Sequence, residues 1–402
     1  MIGLALEGGG ARGAFHMGVI KAFLEEGYDI GGVTGTSIGA LNGAILAQGS
    51  FEEGYKMWQK IVPSDMFDVD DLEYKKFIDR DFDRESALQF AARISKIIRN
   101  KGIDTGKIKL LLQGIIDEEK LRNSPMDFGL VTISLSGFKP LELYKEEIPK
   151  GMMIDFLIAS ANFPGFKLKE IEDKYYIDGG LYDNCPINLL ARKGYKEIYA
   201  VRTLGPGFFK DIKYPDVKVT HIMPSENLGK IFNFNQDLID RNLKMGYFDA
   251  MRNIKGLRGV KYYITPPEEE SFHRALYSMP DNSIAEMGKL FGLGEMNPKR
   301  LLFEKILPEI GNKLGLKSDA DYADIVVDLL ERLAEEEGVM KYEIYTMDGF
   351  LNEIKKKGAG RMNKPVLNDL KSVIKARITD SFTGKFTLLK ASQIMSDGIK
   401  AI

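Results

Sequence analysis

Ser37 stands at the centre of Gly35-Thr36-Ser37-Ile38-Gly39, between a short apolar run and a helix-like run. Residues 30–34 read as a brief strand and residues 40–48 as a small-residue helix. A Gly-x-Ser-x-Gly at such a junction holds its serine on a strained elbow with the hydroxyl exposed, while Gly35 and Gly39 let strand and helix pack closely. That is the placement of a nucleophile for acyl transfer. The same string also describes a glycine-rich turn whose serine is solvated or caps the helix.

A second glycine-rich turn lies near the first residue. Residues 1–6 read as a strand, Glu7-Gly8-Gly9-Gly10-Ala11-Arg12-Gly13 as a loop and residues 14–25 as a helix. Consecutive glycines can present several backbone N–H groups toward one point, because no Cβ blocks the approach. Beside the N-terminus of the following helix, such a loop stabilises an anion. In acyl transfer that anion is the oxygen of a tetrahedral intermediate, and one donor to it is worth about 3–4 kcal/mol. Arg12 adds a fixed positive charge. The spacing Gly8-x-Gly10-x-x-Gly13 equally meets the dinucleotide-binding fingerprint of an oxidoreductase. That reading needs an acid about 20 residues on, at the end of the second strand, to hold the ribose hydroxyls. Asp29 has the distance but precedes the strand, which ends instead in Thr34-Gly35-Thr36-Ser37.

A serine needs a base, and Asp178 is the best candidate. Lys174-Tyr175-Tyr176-Ile177-Asp178-Gly179-Gly180 is a short aromatic strand ending in an acid and two glycines. An acid at the C-terminal end of a strand in an α/β protein points toward the crevice where ligands bind. The alternative is an ordinary Asp-Gly turn, a dipeptide that recurs at Asp348-Gly349 and Asp397-Gly398 without so clear a strand before it.

The Gly-Gly-Gly-x-Arg-Gly loop, the Gly-x-Ser-x-Gly elbow and the Asp-Gly-Gly, in that order, resemble the patatin-like phospholipases. The likeness extends through Gly102-Ile103-Asp104-Thr105, Ile116-Asp117-Glu118-Glu119, Asp127-Phe128-Gly129-Leu130-Val131 and Ala159-Ser160-Ala161-Asn162-Phe163-Pro164-Gly165-Phe166. It implies that Ser37 is the nucleophile and Asp178 its direct partner, with Gly8, Gly9, Gly10, Arg12 and Gly13 in the oxyanion loop. It also implies hydrolysis of lipid acyl esters by a Ser–Asp dyad.

Three histidines are available to make a triad instead. His221 ends a strand at 217–220 and completes the chain order Ser…Asp…His of α/β-hydrolases. His16 lies on the helix after the glycine loop, and His273 follows an acidic loop. Without an imidazole, Asp178 must take the serine proton itself. An aspartate of ordinary pKa, about 3.9, is a poor base for that unless burial raises it. The expectation is therefore a shielded Asp178 within hydrogen-bond reach of Ser37.

The chain has 402 residues, 44% of them apolar, and a net charge of −2. It is long enough for two or three domains, and its charge implies no nucleic-acid partner. No metal-ligand cluster or cofactor motif beyond the glycine loop stands out. The single Cys185 cannot form an internal disulfide, and neither a secretory signal nor an apolar run long enough to span a membrane is found. These features lead us to expect a cytoplasmic location.

The alternation of strand and helix predicts a mostly parallel central sheet covered by helices, and the resemblance implies a three-layer α/β/α patatin-like domain over residues 1–265. Further strands are expected at 128–134, 141–144, 174–177, 197–202 and 217–223, with 262–264 closing the set. Pro266-Pro267-Glu268-Glu269-Glu270 reads as a boundary, followed by a mainly helical region over 266–402. Ile325, Val326, Leu329, Leu330 and Leu333 fall on one face of a helix at 319–337, and Leu367, Leu370 and Ile374 on one at 365–378.

From Lys341 onward, 12 Lys/Arg stand against 6 Asp/Glu, a net of +6. Two roles are open to this segment: peripheral contact with an anionic membrane, or a helical appendage packed on the core. Phe163, Phe166, Phe208 and Phe209 flank Gly and Pro in loops and are candidates to line an acyl groove for a lipid or ester substrate. Besides the hydrolase, two other classes are open: the dinucleotide-binding oxidoreductase and a non-catalytic lipid-binding protein.

Overall fold

β1 (Ile2–Leu6) is buried along its whole length and β2 (Ile30–Thr36) almost so. Parallel strands covered on both faces have this pattern. The structure, a computed structural model, describes residues 1–66, 104–361 and 380–399. It divides into two units, Met1–Ala250 and Met251–Ile402.

In the first unit the sheet also contains β3 (Asp127–Ser134), β4 (Lys139–Tyr144), β5 (Lys169–Ile171), β6 (Lys174–Asp178), β7 (Glu197–Val201) and β8 (Lys218–Ile222). The strand path is β5-β6-β3-β2-β1-β7-β8, with β4 on β3. The pairs β1–β2, β2–β3, β1–β7 and β7–β8 are parallel, whereas β4 and β6 run antiparallel to β3, and β5 to β6. Thr132 pairs with Leu141 of β4 and also with Asp178 of β6. A strand has two edges, so β4 takes one, and β6 shares the other with β2.

Both faces of this sheet are covered. Leu4 pairs with Val33 and Ala5 with Thr34, so the two pairs point to opposite sides. On the Val33 side lies α2 (Ile38–Ala47), whose Gly43 sits so close that an added Cβ would be 3.2 Å from Val33. On the Thr34 side, its hydroxyl donates to the Pro186 carbonyl at 2.9 Å, and Ala5 packs with Ile187, Leu190 and Ala191. The expected three-layer α/β/α architecture is thus present. α1 (Ala14–Glu25) crosses the helix Gln236–Lys255 at two glycines: a Cβ on Gly18 would lie 2.0 Å from the Leu243 carbonyl oxygen, and one on Gly246 2.1 Å from that of Phe15.

The segment expected to close this sheet does not belong to it. β9 (Tyr263–Ile264) pairs in parallel with β10 (Ile344–Tyr345) in a separate two-stranded sheet. The flanking Tyr262 and Ile264 are buried in the helical core of the second unit, together with Leu302, Ile306, Val326, Leu330 and Phe350. Burial of that apolar pair among helices outweighs the weak pull of so short a strand. Pro266-Pro267 accordingly falls inside the second unit.

That unit is mainly helical, with helices at Glu269–Tyr277, Asp281–Leu290, Leu307–Leu314, Tyr322–Glu337, Met347–Arg361 and Asp380–Gly398. The helix Tyr322–Glu337 opens on a capping box between Asp321 and Asp324 and closes on a left-handed Gly338. Its stripe of Ile325, Val326, Leu329, Leu330 and Leu333 is buried as its spacing requires. The amphipathic segment expected at 365–378 lies outside the described residues. No helix among the described residues is long and apolar enough to cross a membrane.

Candidate active site

Ser37 follows β2 directly and caps α2, with φ 56° and ψ −127°. For a residue with a side chain this is a strained conformation, the kind concentrated at active sites. Its neighbours hold it there. An added Cβ on Gly35 would lie 2.2 Å from the Gly39 carbonyl carbon, and one on Gly39 would lie 2.2 Å from the Leu6 carbonyl oxygen. Only glycine lets the elbow pass this close to β1. The Ser37 carbonyl accepts from the Ala40 and Leu41 amides, the first bonds of α2. Its own amide donates to the Ser160 hydroxyl at 3.1 Å.

Asp178 arrives from the opposite direction on β6 and is almost fully buried. Its amide donates to the Asn162 carbonyl at 3.0 Å, and its Oδ1 accepts from the Gly180 amide at 2.8 Å. Burial pushes its pKa up to about 6, while the Gly180 amide and the Ser37 side chain act to hold it down. Oδ2 is buried without a partner at full hydrogen-bond geometry among the described residues. A carboxylate in this state is basic near neutral pH, with Ser37 beside it. Ser160 and Asn162 therefore secure the backbones of both residues from one short segment, and the Asn162 side chain also donates to the Tyr176 carbonyl at 2.9 Å.

The glycine loop lies beside this pair. A Cβ on Gly8 would meet Asn184 Oδ1 at 2.3 Å and Ser37 Cβ at 3.1 Å. The Gly8 amide donates to the Asn184 carbonyl, Ala11 to Ile231 and Arg12 to Gly9. The Gly9 and Gly10 amides have no such partner among the described residues. Gly10, at φ +57°, backs directly onto the Ile231 carbonyl.

The other two residues expected in this loop are tied to neighbouring segments. Arg12 is buried, and its guanidinium donates to the carbonyls of Gly229, Thr203 and Leu204. These bonds brace the glycine loop against segments 203–204 and 229, and they leave the guanidinium's positive charge in place beside the loop. Gly13 packs on Ile38, and its carbonyl accepts from Asn42.

A cavity of about 250 Å³ opens over the pair, lined by Gly8, Gly9, Gly10, Ser37 and Asp178 and by a mostly apolar wall. Phe163, Phe166 and Phe208 contribute to that wall as expected, but Phe209 does not. Its ring lies against the Arg202 guanidinium, 4.4 Å from centroid to charge, because successive side chains on an extended loop diverge.

Phe232 and Phe234 line the cavity too. They stand in the alternating Ile231-Phe232-Asn233-Phe234-Asn235, where two phenylalanines flank an asparagine with no strand to bury them. That alternation was the available signal. Ser160 was legible only as a member of the longer 159–166 motif, and Asn184 carried no signal of its own.

The acid-at-the-strand-end that a dinucleotide would need is absent, because β2 runs from Ile30 straight into Thr36 and Ser37. Asp29 sits before β2, 3.9 Å from the N-terminal amine. His221 lies on β8 opposite Ala200 and is not among the cavity-lining residues. His16 is fully buried and its pKa is driven down to about 3, so it is neutral.

Residues 4–191 match the family model of the patatin-like phospholipases. The chain carries a patatin-like phospholipase domain. Among curated proteins, an uncharacterized NTE family protein of Mycobacterium tuberculosis is 26% identical over 190 residues, 47% of this chain and 45% of that protein. The lysophospholipase NTE1 of Kluyveromyces lactis is 25% identical over 283 residues, 67% of this chain and 17% of that protein. The neuropathy target esterase sws of Drosophila melanogaster is 24% identical over 379 residues, covering 88% of this chain and 24% of that protein. The chain thus spans less than half the length of these relatives. All three glycine-bearing motifs, including Ser37 and Asp178, fall inside the matched residues.

Proposed function

We propose that the domain hydrolyses lipid carboxylic esters through an acyl-Ser37 intermediate, with Asp178 as the direct base. The observation that carries this reading is the buried Asp178, its pKa raised to about 6, set against the strained Ser37 at the floor of an apolar cavity. A base with pKa near the working pH is the most effective one.

In this mechanism Asp178 takes the proton from Ser37 Oγ as Oγ attacks the ester carbonyl. The Gly9 and Gly10 amides stabilise the oxyanion, each by about 3–4 kcal/mol. Collapse breaks the bond to the alcohol oxygen, which leaves with the proton returned by Asp178. Asp178 then takes a proton from water, the hydroxide attacks the acyl-enzyme, and Ser37 recovers its proton as the fatty acid departs. An alcohol in place of water would make the same intermediate an acyl donor.

Phospholipid or lysophospholipid is the substrate class we favour, because Phe163, Phe166, Phe232 and Phe234 offer an acyl chain an apolar wall. The name of the yeast relative, a lysophospholipase, points the same way, and that of the fly relative names an esterase. The lone, buried Cys185 is consistent with the cytoplasmic location we assign. Incubation with lysophosphatidylcholine, with fatty-acid release followed for wild type, Ser37→Ala and Asp178→Asn, tests the reading. Release by wild type alone supports it; equal release by all three refutes it.

A further inference from the structure

Leu204, Phe208, Phe209 and Ile212 are each between 42% and 50% exposed, and all four lie within one short loop. Scattered exposed apolar residues are normal, but four within nine residues of one loop, at the rim of a cavity, are more than scatter. The loop is not loose. The Phe208 amide donates to the Gly180 carbonyl at 2.8 Å, and the Phe208 carbonyl accepts from the Asn184 amide at 2.6 Å. Farther along, Asn188 accepts from the Lys213 amide and donates to the Asp211 carbonyl, both at 3.0 Å.

At the near end Leu204 has φ 54°, a left-handed backbone that a bulky residue rarely adopts. Its carbonyl is gripped by Arg12 at 2.6 Å, and the Gly205 amide by the buried Glu7 at 3.1 Å. The fold thus spends backbone strain and two buried charged groups to hold apolar side chains toward solvent.

The same loop forms the rim of the cavity, through Pro206, Gly207 and Phe208. Lys210 and Lys213 interleave with the aromatics, against one acid, Asp211. An apolar tip flanked by lysines suits the boundary between acyl chains and phosphate head groups. We infer that the loop 204–213 is a membrane-docking element that seats the cavity mouth on a lipid surface, with Leu204, Phe209 and Ile212 entering the acyl boundary. This rests on the reading of the cavity as a lipid-ester site, and it assigns to Phe209 a role outside the cavity.

The test uses the full chain and co-sedimentation with vesicles of phosphatidylcholine and phosphatidylglycerol at roughly 2:1, so that both apolar and anionic terms are offered. Wild type and Ser37→Ala should sediment alike, because docking needs no chemistry. Phe209→Asp with Ile212→Asp should sediment at least about tenfold less, while turnover of a soluble short-chain nitrophenyl ester stays within about twofold. Leu204→Gly, which suits the left-handed backbone, should weaken sedimentation several-fold, and it keeps the test open if the double variant does not fold. Unchanged sedimentation of folded variants, or absence of wild-type sedimentation, overturns the inference. So does loss of soluble-ester turnover in parallel with binding. Absence of ester turnover by a wild type that sediments would refute the hydrolase reading and leave docking intact.

Discussion

Ser37 and Asp178 leave strands that pair with consecutive residues of one edge of β3. Thr36, just before the serine, lies opposite Val131, and Asp178 itself lies opposite Thr132. β2 runs parallel to β3 and β6 antiparallel, so their two C-terminal ends converge head-on. The meeting leaves little room: a Cβ on Gly179 would lie 2.2 Å from the Val131 carbonyl oxygen. A parallel-to-antiparallel change along a single edge thus brings Ser37 and Asp178 to adjoining positions, the arrangement on which the proposed dyad rests.

Asp178 must be ionised to accept the serine proton, so kcat/KM should rise with pH and level off above about 6. His221→Ala should leave that limb where it is. A pH–rate profile of both proteins checks this, and a limb that disappears with His221 would show that an imidazole is the base.

The same raised pKa has a cost in stability. A carboxyl whose folded pKa exceeds its unfolded value favours the native state below the unfolded pKa and loses that contribution as pH rises through the folded one. The range is from 3.8 to about 6. Asp178→Asn should therefore be the more stable protein at about pH 8, by at most roughly 3 kcal/mol, with the difference shrinking toward pH 4. Denaturant melts at the two pH values decide it.

Gly10→Ala should damage the oxyanion loop selectively. The new methyl would lie 2.0 Å from the Ile231 carbonyl oxygen in a left-handed backbone, so the loop must shift. A fall in kcat of about 10²–10³ with KM changed only a few-fold is the expected signature. Steady-state kinetics, with circular dichroism to confirm folding, measure it.

Ser160→Ala should leave the part-buried Ser37 amide unpaired, at a cost of about 1 kcal/mol. Because that amide anchors the elbow, kcat should drop about tenfold at nearly constant KM. Ser160→Thr, which keeps the hydroxyl, should recover most of it.

Much of this site was legible in the sequence because its constraints are local. The glycines around Ser37 and Gly8–Gly13 advertise close backbone approach, and an acid at the end of an aromatic strand advertises a crevice. The bracing bonds of Arg12 were not legible, because a charge in a loop says nothing of which carbonyls will surround it, and those of Thr203, Leu204 and Gly229 are far away in the chain. Phe209 misled because adjacent residues on a loop face apart. The pairing of β9 with β10 was hidden for the same reason as the roles of Ser160 and Phe232: each depends on a partner that only the fold brings near.

The central claim is that Ser37 is activated by Asp178 alone. Labelling with a fluorophosphonate probe, followed by peptide mapping, tests it on wild type, Asp178→Asn and His221→Ala. The account predicts labelling at Ser37 in wild type and in His221→Ala, with loss in Asp178→Asn. Loss in His221→Ala, or no labelling of folded wild type, would contradict it.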